Sequence, residues 1–324
     1  QVDVAVYGDF CLDAYWFLDP RGGEISAETS LHSQAVKKHY YTPGGASNVV
    51  ANLSALEPAK IKVIGVIGND IFGKELSRQF EVLGVDFESL IIQEDNFDTV
   101  TFSKIILDRK EQPRIDFGFF NKRSKLTDDK IITCLMNAVQ KFDAVIFNQQ
   151  VPGSLSNEGF IHEANLLFEQ FNDRIVLLDT RHYGDKFNNI YRKVNEIEAA
   201  RLNGINAKVL DQISLTDTKK HAQNLYEKSE KPVFVTRGSK GMLVVDDNGI
   251  HEISAIQINK PIDPVGAGDT VVSALALCLG AGLKAAEAAE FANLAAAVTV
   301  QKLFMTGTAS GKEMLDLFQE INLY

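Results

Sequence analysis

Short, continuously apolar runs alternate with amphipathic stretches along most of this chain. "VDVAVYGDF" (2–10) and "IKVIGVIG" (61–68) lack polar alternation, as strands buried on both faces do. "ASNVVANLSAL" (Ala46–Leu56) and "GKELSRQFEVLG" (73–84) carry a helical period. After Asn121 the order is regular: helix "DDKIITCLMNAVQ", strand "AVIFNQ", helix "NEGFIHEANLLFEQF", strand "IVLLDT", then "KVNEIEAARL" and helix "TKKHAQNLYEK". Strand "PVFVTRG", a hairpin "GMLVVDDNGIHEI" and two C-terminal helices complete it. This alternation predicts an α/β fold with a mostly parallel sheet covered on both faces.

Two stretches break the pattern. Residues 12–42 and 97–120 are rich in aromatic, β-branched and turn-forming residues, which predicts extended ribbons, the second folding "TVTFSKIILD" against "PRIDFGFF". They are expected to form a small β-sheet standing off the core as a lid. Without a Pro- or Ser-rich linker, residues 1–324 read as a single domain.

Composition narrows the function. Of 324 residues, 45% are hydrophobic and 23% charged, ordinary globular values. The net charge of −10 is spread without a basic cluster, which argues against nucleic acid or an anionic membrane as partner but leaves room for a small anion site. Cys11, Cys134 and Cys278 form neither a disulfide framework nor a CxxC motif, so reduced thiols in a cytoplasmic protein are expected. The apolar stretch from Thr270 to Leu283 falls short of the ~20 residues of a membrane span, and no signal-peptide pattern is visible. The histidines show no zinc-binding spacing.

The candidate chemistry lies in "DPVGAGDT", Asp263 to Thr270. Gly266 and Gly268 permit close approach to the main chain, and a helix starting near Asp269 offers free N–H groups to an anion. An Asp at a helix start is commonly only a cap. The flanking glycines favour a base that takes a proton from a hydroxyl attacking a bound phosphoryl group. Two other phosphate motifs fail. "GAGDTV" has Val271 where the dinucleotide fingerprint needs a small residue, and "GTASGKE" (307–313) is one residue short of a P-loop with Glu313 at the Ser/Thr position.

"DPVGAGDTVVSALA" resembles the C-terminal signature of the ribokinase-like (phosphofructokinase-B) carbohydrate kinases, and "PGGASNVVANLSAL" resembles their N-terminal signature, with departures at Val50 and Glu57-Pro58. "GVIGNDIFG", "NEIE" and "VTRGSKGMLVV" resemble further family motifs in the family's order, so the resemblance covers essentially the whole chain. "GDFCLDAYW", "TRGSKGM" and "FANLAAAVTVQKLFMTGTAS" are most similar to the heptose-7-phosphate kinase branch, which supplies ADP-heptose for lipopolysaccharide.

The resemblance implies a ribokinase-like three-layer α/β/α core with nine strands, a β lid that can mediate a homodimer, and use of ATP with Mg²⁺. It makes Asp269 the catalytic base and the N–H groups of Gly266, Ala267 and Gly268 the anion hole. Asp13, Gly44, Gly45 and Asn48 would bind the sugar; Asp9 would either join them or orient its loop. Thr236, Gly238, Gly241 and Asn293 would face the nucleotide, and Asp263 either a cation or nucleotide or merely its own turn. Asn195 and Glu198 would organise Mg²⁺ through water, and family members often use a monovalent cation near the anion hole.

Tyr15 and Trp16 would either close over substrate or, the favoured reading, pack the lid, while Arg114, Lys122 and Arg123 are either sugar-phosphate ligands or solvated lid charges. "NQQ" (Asn148 to Gln150), followed by "VPG", replaces an acidic residue of the heptose-7-phosphate kinases, which leaves the acceptor open. A nucleoside kinase and a non-catalytic sugar-binding regulator of the same fold are the alternative readings.

Overall fold

The computed structural model describes residues 1–152, 157–303 and 306–322. Gly153 of "VPG" and Phe304 and Met305 of the C-terminal stretch lie outside the described residues. The chain runs β1 (Asp3–Gly8), β2 (Phe10–Asp19), β3 (Ala35–Gly45), α1 (Ala46–Leu56), β4 (Lys60–Gly68), α2 (Ile71–Leu83) and β5 (Asp86–Gln93). Next come β6 (Thr101–Leu107), β7 (Lys110–Glu111), β8 (Ile115–Phe117), α3 (Lys125–Lys141), β9 (Ala144–Gln149), α4 (Glu158–Gln170) and β10 (Ile175–Thr180). The rest is β11 (Tyr191–Asn195), α5 (Glu196–Leu202), α6 (Leu215–Ser229), β12 (Val233–Thr236), β13 (Met242–Asp246), β14 (Gly249–Ile253), α7 (Ala267–Gly280), α8 (Ala285–Thr299) and α9 (Gly311–Asn322).

The large sheet has nine strands in the order β14-β13-β12-β11-β10-β9-β1-β4-β5, parallel except at the β12-β13-β14 end. β1 is apolar from Val4 to Tyr7 because each side has a core to fill. Val4 and Val6 pack with α1, α7 and α8, while Ala5 and Tyr7 pack with α3 and α4 on the opposite face. The chain leaves β1 for β4 and β5 on one side, then returns to β9, β10 and β11 on the other. The β1/β9 boundary is therefore the switch point, where a crevice opens beyond the strands' carboxyl ends.

The two irregular stretches make a second sheet, ordered β3-β2-β6-β7, with β8 also on β6. The expected pairing of the 97–120 ribbon is present as antiparallel β6 and β8, and β2 joins β6 in parallel. Tyr15 stacks on Tyr40 with centroids 4.7 Å apart and Trp16 on His39 at 5.5 Å, so both aromatics pack within this sheet. Asp9 is the sole residue between β1 of the large sheet and β2 of the small one.

Three features differ from the sequence expectation. Among the described residues three helices, not two, follow the β13–β14 hairpin: α7 ends in a turn through Gly282, in the left-handed region, and α8 starts separately after Lys284. β5 is a strand the pattern did not reveal: it lies at the sheet edge with acidic residues inside it and exposed Ile92. Glu57, where a glycine is usual, caps α1 in the left-handed region at φ +55°.

Candidate active site

The carboxyl ends of β1, β9, β10 and β11 deliver Asp9, Gln150, Asp179 and the pair Lys193 and Asn195 to one edge of the sheet. The N-terminus of α7 points at the same place. Gly266 starts this helix at φ +81°, and a Cβ there would stand 2.6 Å from Thr306 Cγ2. Any other residue would be both strained and crowded.

Among the described residues the N–H groups of Gly266 and Gly268 have no hydrogen-bond partner, whereas the Ala267 N–H turns back to the Pro264 carbonyl at 3.2 Å. The turn thus presents two open donors at the positive pole of a buried apolar helix.

Asp269 stands beside them. Asn48 Nδ2 donates to its Oδ2 at 2.5 Å. Burial, and then the Asp179 charge, push its carboxyl up to about 6, while the Asn48 bond and the Lys193 and Arg181 cations pull it back. A carboxylate so tuned is ionised at neutral pH yet basic enough to take up a proton. The position of Asn48 is itself fixed by a polar seam between α1 and α7. Asn52 Nδ2 donates to the Asn48 carbonyl at 2.8 Å, Thr270 Oγ1 to Asn52 Oδ1 at 2.6 Å, and Ser273 Oγ to the Val49 carbonyl at 3.1 Å.

On the small-sheet side, Asp13 lies against Gly44, where a Cβ would stand 3.3 Å from its Oδ1, and it accepts from Lys104 Nζ at 2.9 Å. Burial raises the Asp13 carboxyl, with Lys104 opposing. Gly44 and Gly45 pair with Cys11 and Phe10 and lead directly into α1, which brings Asp13 beside Gly44 and Asn48 against Asp269. Asp9 takes the orienting role: its Oδ2 accepts from Gln150 N at 2.7 Å and Val151 N at 2.8 Å.

On the other side of α7 opens a cleft of about 520 Å³, lined by Thr236, Gly238, Gly241, Asn293, Ala267 and Gly268. Ile256, Ile258 and Val300 give it apolar walls. Asn293 also holds one wall in place, donating from Nδ2 to the Ser254 carbonyl at 2.7 Å. Asp263 is not among the lining residues, although its neighbours Ile262 and Pro264 are; its Oδ1 accepts from Val265 N at 3.1 Å.

Asn195 and Glu198 form a reciprocal capping box at the start of α5, with Glu198 N donating to Asn195 Oδ1 at 2.9 Å and Asn195 N to Glu198 Oε2 at 2.8 Å. Burial raises the Glu198 carboxyl, countered by Lys193 and reinforced by Asp179. Acidic groups that repel each other at a cleft edge fit a hydrated cation, and contact through water leaves the capping box intact. Among the described residues no group of three or more His, Cys, Asp or Glu could hold a metal directly.

Asp179, Arg181 and Lys193 escaped the sequence reading. Asp179 and Arg181 sit at or just beyond the end of the apolar strand β10, and that placement was the available signal; Lys193 lies inside β11, just before the Asn195 motif. Lys193 Nζ bonds to Asp179 Oδ1 at 3.1 Å, and both are buried.

The residues of "NQQ" and the three cations near the small sheet are placed as follows. Asn148 and Gln149 are sealed into the sheet, Asn148 donating to Asp179 and Gln149 accepting from Thr180 Oγ1 at 2.6 Å; Gln150 alone of "NQQ" is partly exposed. Arg123 is not a solvated lid charge. It is buried, paired with Asp128 at 2.7 Å and donating to the Tyr7 hydroxyl at 2.7 Å, beside a cavity of about 30 Å³. Arg114 lies over Phe102 and pairs with Asp116 at 2.6 Å, and Lys122 is exposed.

Comparison with known proteins places this arrangement. The profile of the pfkB family carbohydrate kinases matches residues 2–308. The chain belongs to that family. Among curated relatives, "Bifunctional protein HldE" of Shewanella amazonensis is 30% identical over 316 residues, covering 97% of this chain and 63% of the relative. The HldE of Aliarcobacter butzleri is 32% identical over 308 residues, covering 93% and 61%. This chain therefore spans less than two thirds of the length of these relatives, which represent the heptose-7-phosphate kinase branch its motifs resemble. Among solved structures, ribokinase from Thermotoga maritima aligns with a TM-score of 0.72 at 20% identity, covering 99% of this chain and 100% of the other. Phosphofructokinase-2 from Escherichia coli aligns at 0.74 and 16%, covering 99% and 100%. An Arabidopsis thaliana ribokinase complexed with ribose and ATP aligns at 0.71 and 20%, covering 98% and 99%. This pfkB member thus shares the ribokinase-like fold, and its family is one of phosphotransferases acting on sugar hydroxyls.

Proposed function

We propose that this chain is an ATP-dependent kinase that transfers the γ-phosphoryl group to a hydroxyl of a sugar or sugar phosphate, with heptose 7-phosphate as the first acceptor to test. The observation that carries this reading is the position of Asp269. Its carboxyl, pushed up to about 6, is bonded to Asn48 on one side and follows directly on Ala267 and Gly268, which line the 520 Å³ cleft, beside the open N–H groups of Gly266 and Gly268.

The acceptor sits between Asp13, Gly44, Gly45 and Asn48, where carboxylate and amide groups bridge adjacent hydroxyls. ATP enters the cleft lined by Thr236, Gly238, Gly241 and Asn293, its base against the apolar wall and its terminal phosphate at α7. Asp269 takes the acceptor's proton as the γ-phosphorus is attacked. Gly266 and Gly268 donate to the phosphoryl oxygens in flight. Phosphoryl transfer asks little covalent chemistry of the protein, and a positioned base with oriented donors is the machinery it needs. Mg²⁺ arriving with ATP supplies charge neutralisation, and Asn195 and Glu198 would face its water shell.

We further place the protein in the cytoplasm as a homodimer paired through the small sheet. Tyr40, Ile115 and Phe117 of that sheet are exposed, and sedimentation would read the association.

The deciding experiment incubates the protein with ATP and a panel of free and phosphorylated sugars, nucleosides and heptose 7-phosphate, following ADP release. Turnover with a sugar acceptor is expected. Nucleoside turnover alone would move the assignment to nucleoside kinase. Sugar binding without any turnover would make the protein a regulator.

A further inference from the structure

Lys193 occupies a place that its pairing with Asp179 does not explain. Its ammonium is buried on β11, and a Cβ on Gly268 would stand 3.1 Å from Nζ. The same Gly268 offers an open N–H. Of the three hydrogens on Nζ, one is used by Asp179 Oδ1 at 3.1 Å; among the described residues the other two have no partner. A buried cation beside the positive pole of α7 is repelled by it. The carboxylates of Asp179, Glu198 and Asp269 attract it, and an anion between ammonium and helix would also use its two open hydrogens.

We propose that Lys193 is a catalytic residue whose ammonium contacts the transferred phosphoryl group, and that Asp179 is the positioning residue that aims it. This rests on the kinase reading above. In the step, the acceptor oxygen bonds to the γ-phosphorus while the bond from that phosphorus to the β–γ bridging oxygen breaks. The bridging oxygen leaves with the electron pair on ADP, and the acceptor proton passes to Asp269. Lys193 keeps its proton and hydrogen-bonds a non-bridging oxygen, opposite the donors of Gly266 and Gly268. The absence of a side chain at Gly268 follows from the same geometry: a methyl group there would press on the ammonium.

The test is Lys193→Met, which keeps length and removes charge. Steady-state turnover is measured with the acceptor found above, and calorimetry gives the affinity for ADP with and without aluminium fluoride, a mimic of the phosphoryl in flight. A contact made in the transition state predicts kcat lower by about 10²- to 10³-fold with the KM for ATP changed about threefold or less. Binding of ADP alone should persist while the gain from aluminium fluoride is lost by about tenfold or more. Removing one partner of a buried pair can unfold a protein, so Lys193→Met/Asp179→Asn removes both charges together and carries the same expectation.

A variant that turns over within about threefold of wild type, or one that loses affinity for ADP alone as much as for its aluminium fluoride complex, overturns the proposal and leaves a structural ion pair. A wild-type protein that binds no ADP fails earlier and differently, because it overturns the kinase reading itself.

Discussion

Asn48 and Asp269 lie 221 positions apart in sequence, and the amide of one donates to the carboxylate of the other at 2.5 Å. This bond joins the N-terminal turns of α1 and α7, so the wall proposed for the sugar and the turn proposed for the phosphoryl share one contact.

Asp269→Asn should lower kcat by about 10²- to 10⁴-fold while leaving ADP affinity near wild type, because a general base is lost but no binding surface is. The wild-type pH profile carries the same information. With the carboxyl near 6 and ionisation required, kcat/KM should fall as pH drops through about 6 and level off above it.

Asn48→Ala removes a bond that favours the ionised carboxylate, so the Asp269 carboxyl rises further. The acid limb of the kcat/KM profile should move toward neutral pH. A variant whose limb stays in place, or moves to lower pH, would show that this amide does not tune the base.

Asp13→Ala should act on the acceptor alone. Losing a hydrogen bond to a charged group costs about 1.5–3 kcal/mol, or roughly 10- to 100-fold in acceptor KM, with the KM for ATP unchanged. Initial-rate measurements varying each substrate separate the two.

Arg123→Ala should destabilise without touching the chemistry. The guanidinium and Asp128 have side chains only 5% and 7% exposed, and Tyr7 loses its donor as well. Stranding a buried carboxylate costs about 3–5 kcal/mol, readable as a lower urea midpoint with the fold's m-value retained. An exposed lid cation would have produced almost no change.

Much of this architecture can be read from periodicity. α1 runs from Ala46 to Leu56, the span its apolar pattern predicts, and the unbroken apolar strands announce a sheet buried on both sides. The GAGD turn is legible because two glycines before an apolar helix serve few purposes. What periodicity cannot carry is pairing across strands. Asp179 and Lys193 look like ordinary strand-end charges until β10 and β11 lie side by side, and Arg123 reads as surface until α3 folds Asp128 onto it. β5 was hidden for another reason. At an edge, acidic and apolar residues mix, and the burial signal fades.

The one-residue link between β1 and β2 makes Asp9 a fulcrum. Its carboxylate grips the backbone amides of Gln150 and Val151 beyond β9, while β3 runs without a spacer into α1, so the small sheet is tied to the core at both points. The strand that carries Asp13 and the end of the central strand beside β1 therefore share Asp9 as a common joint.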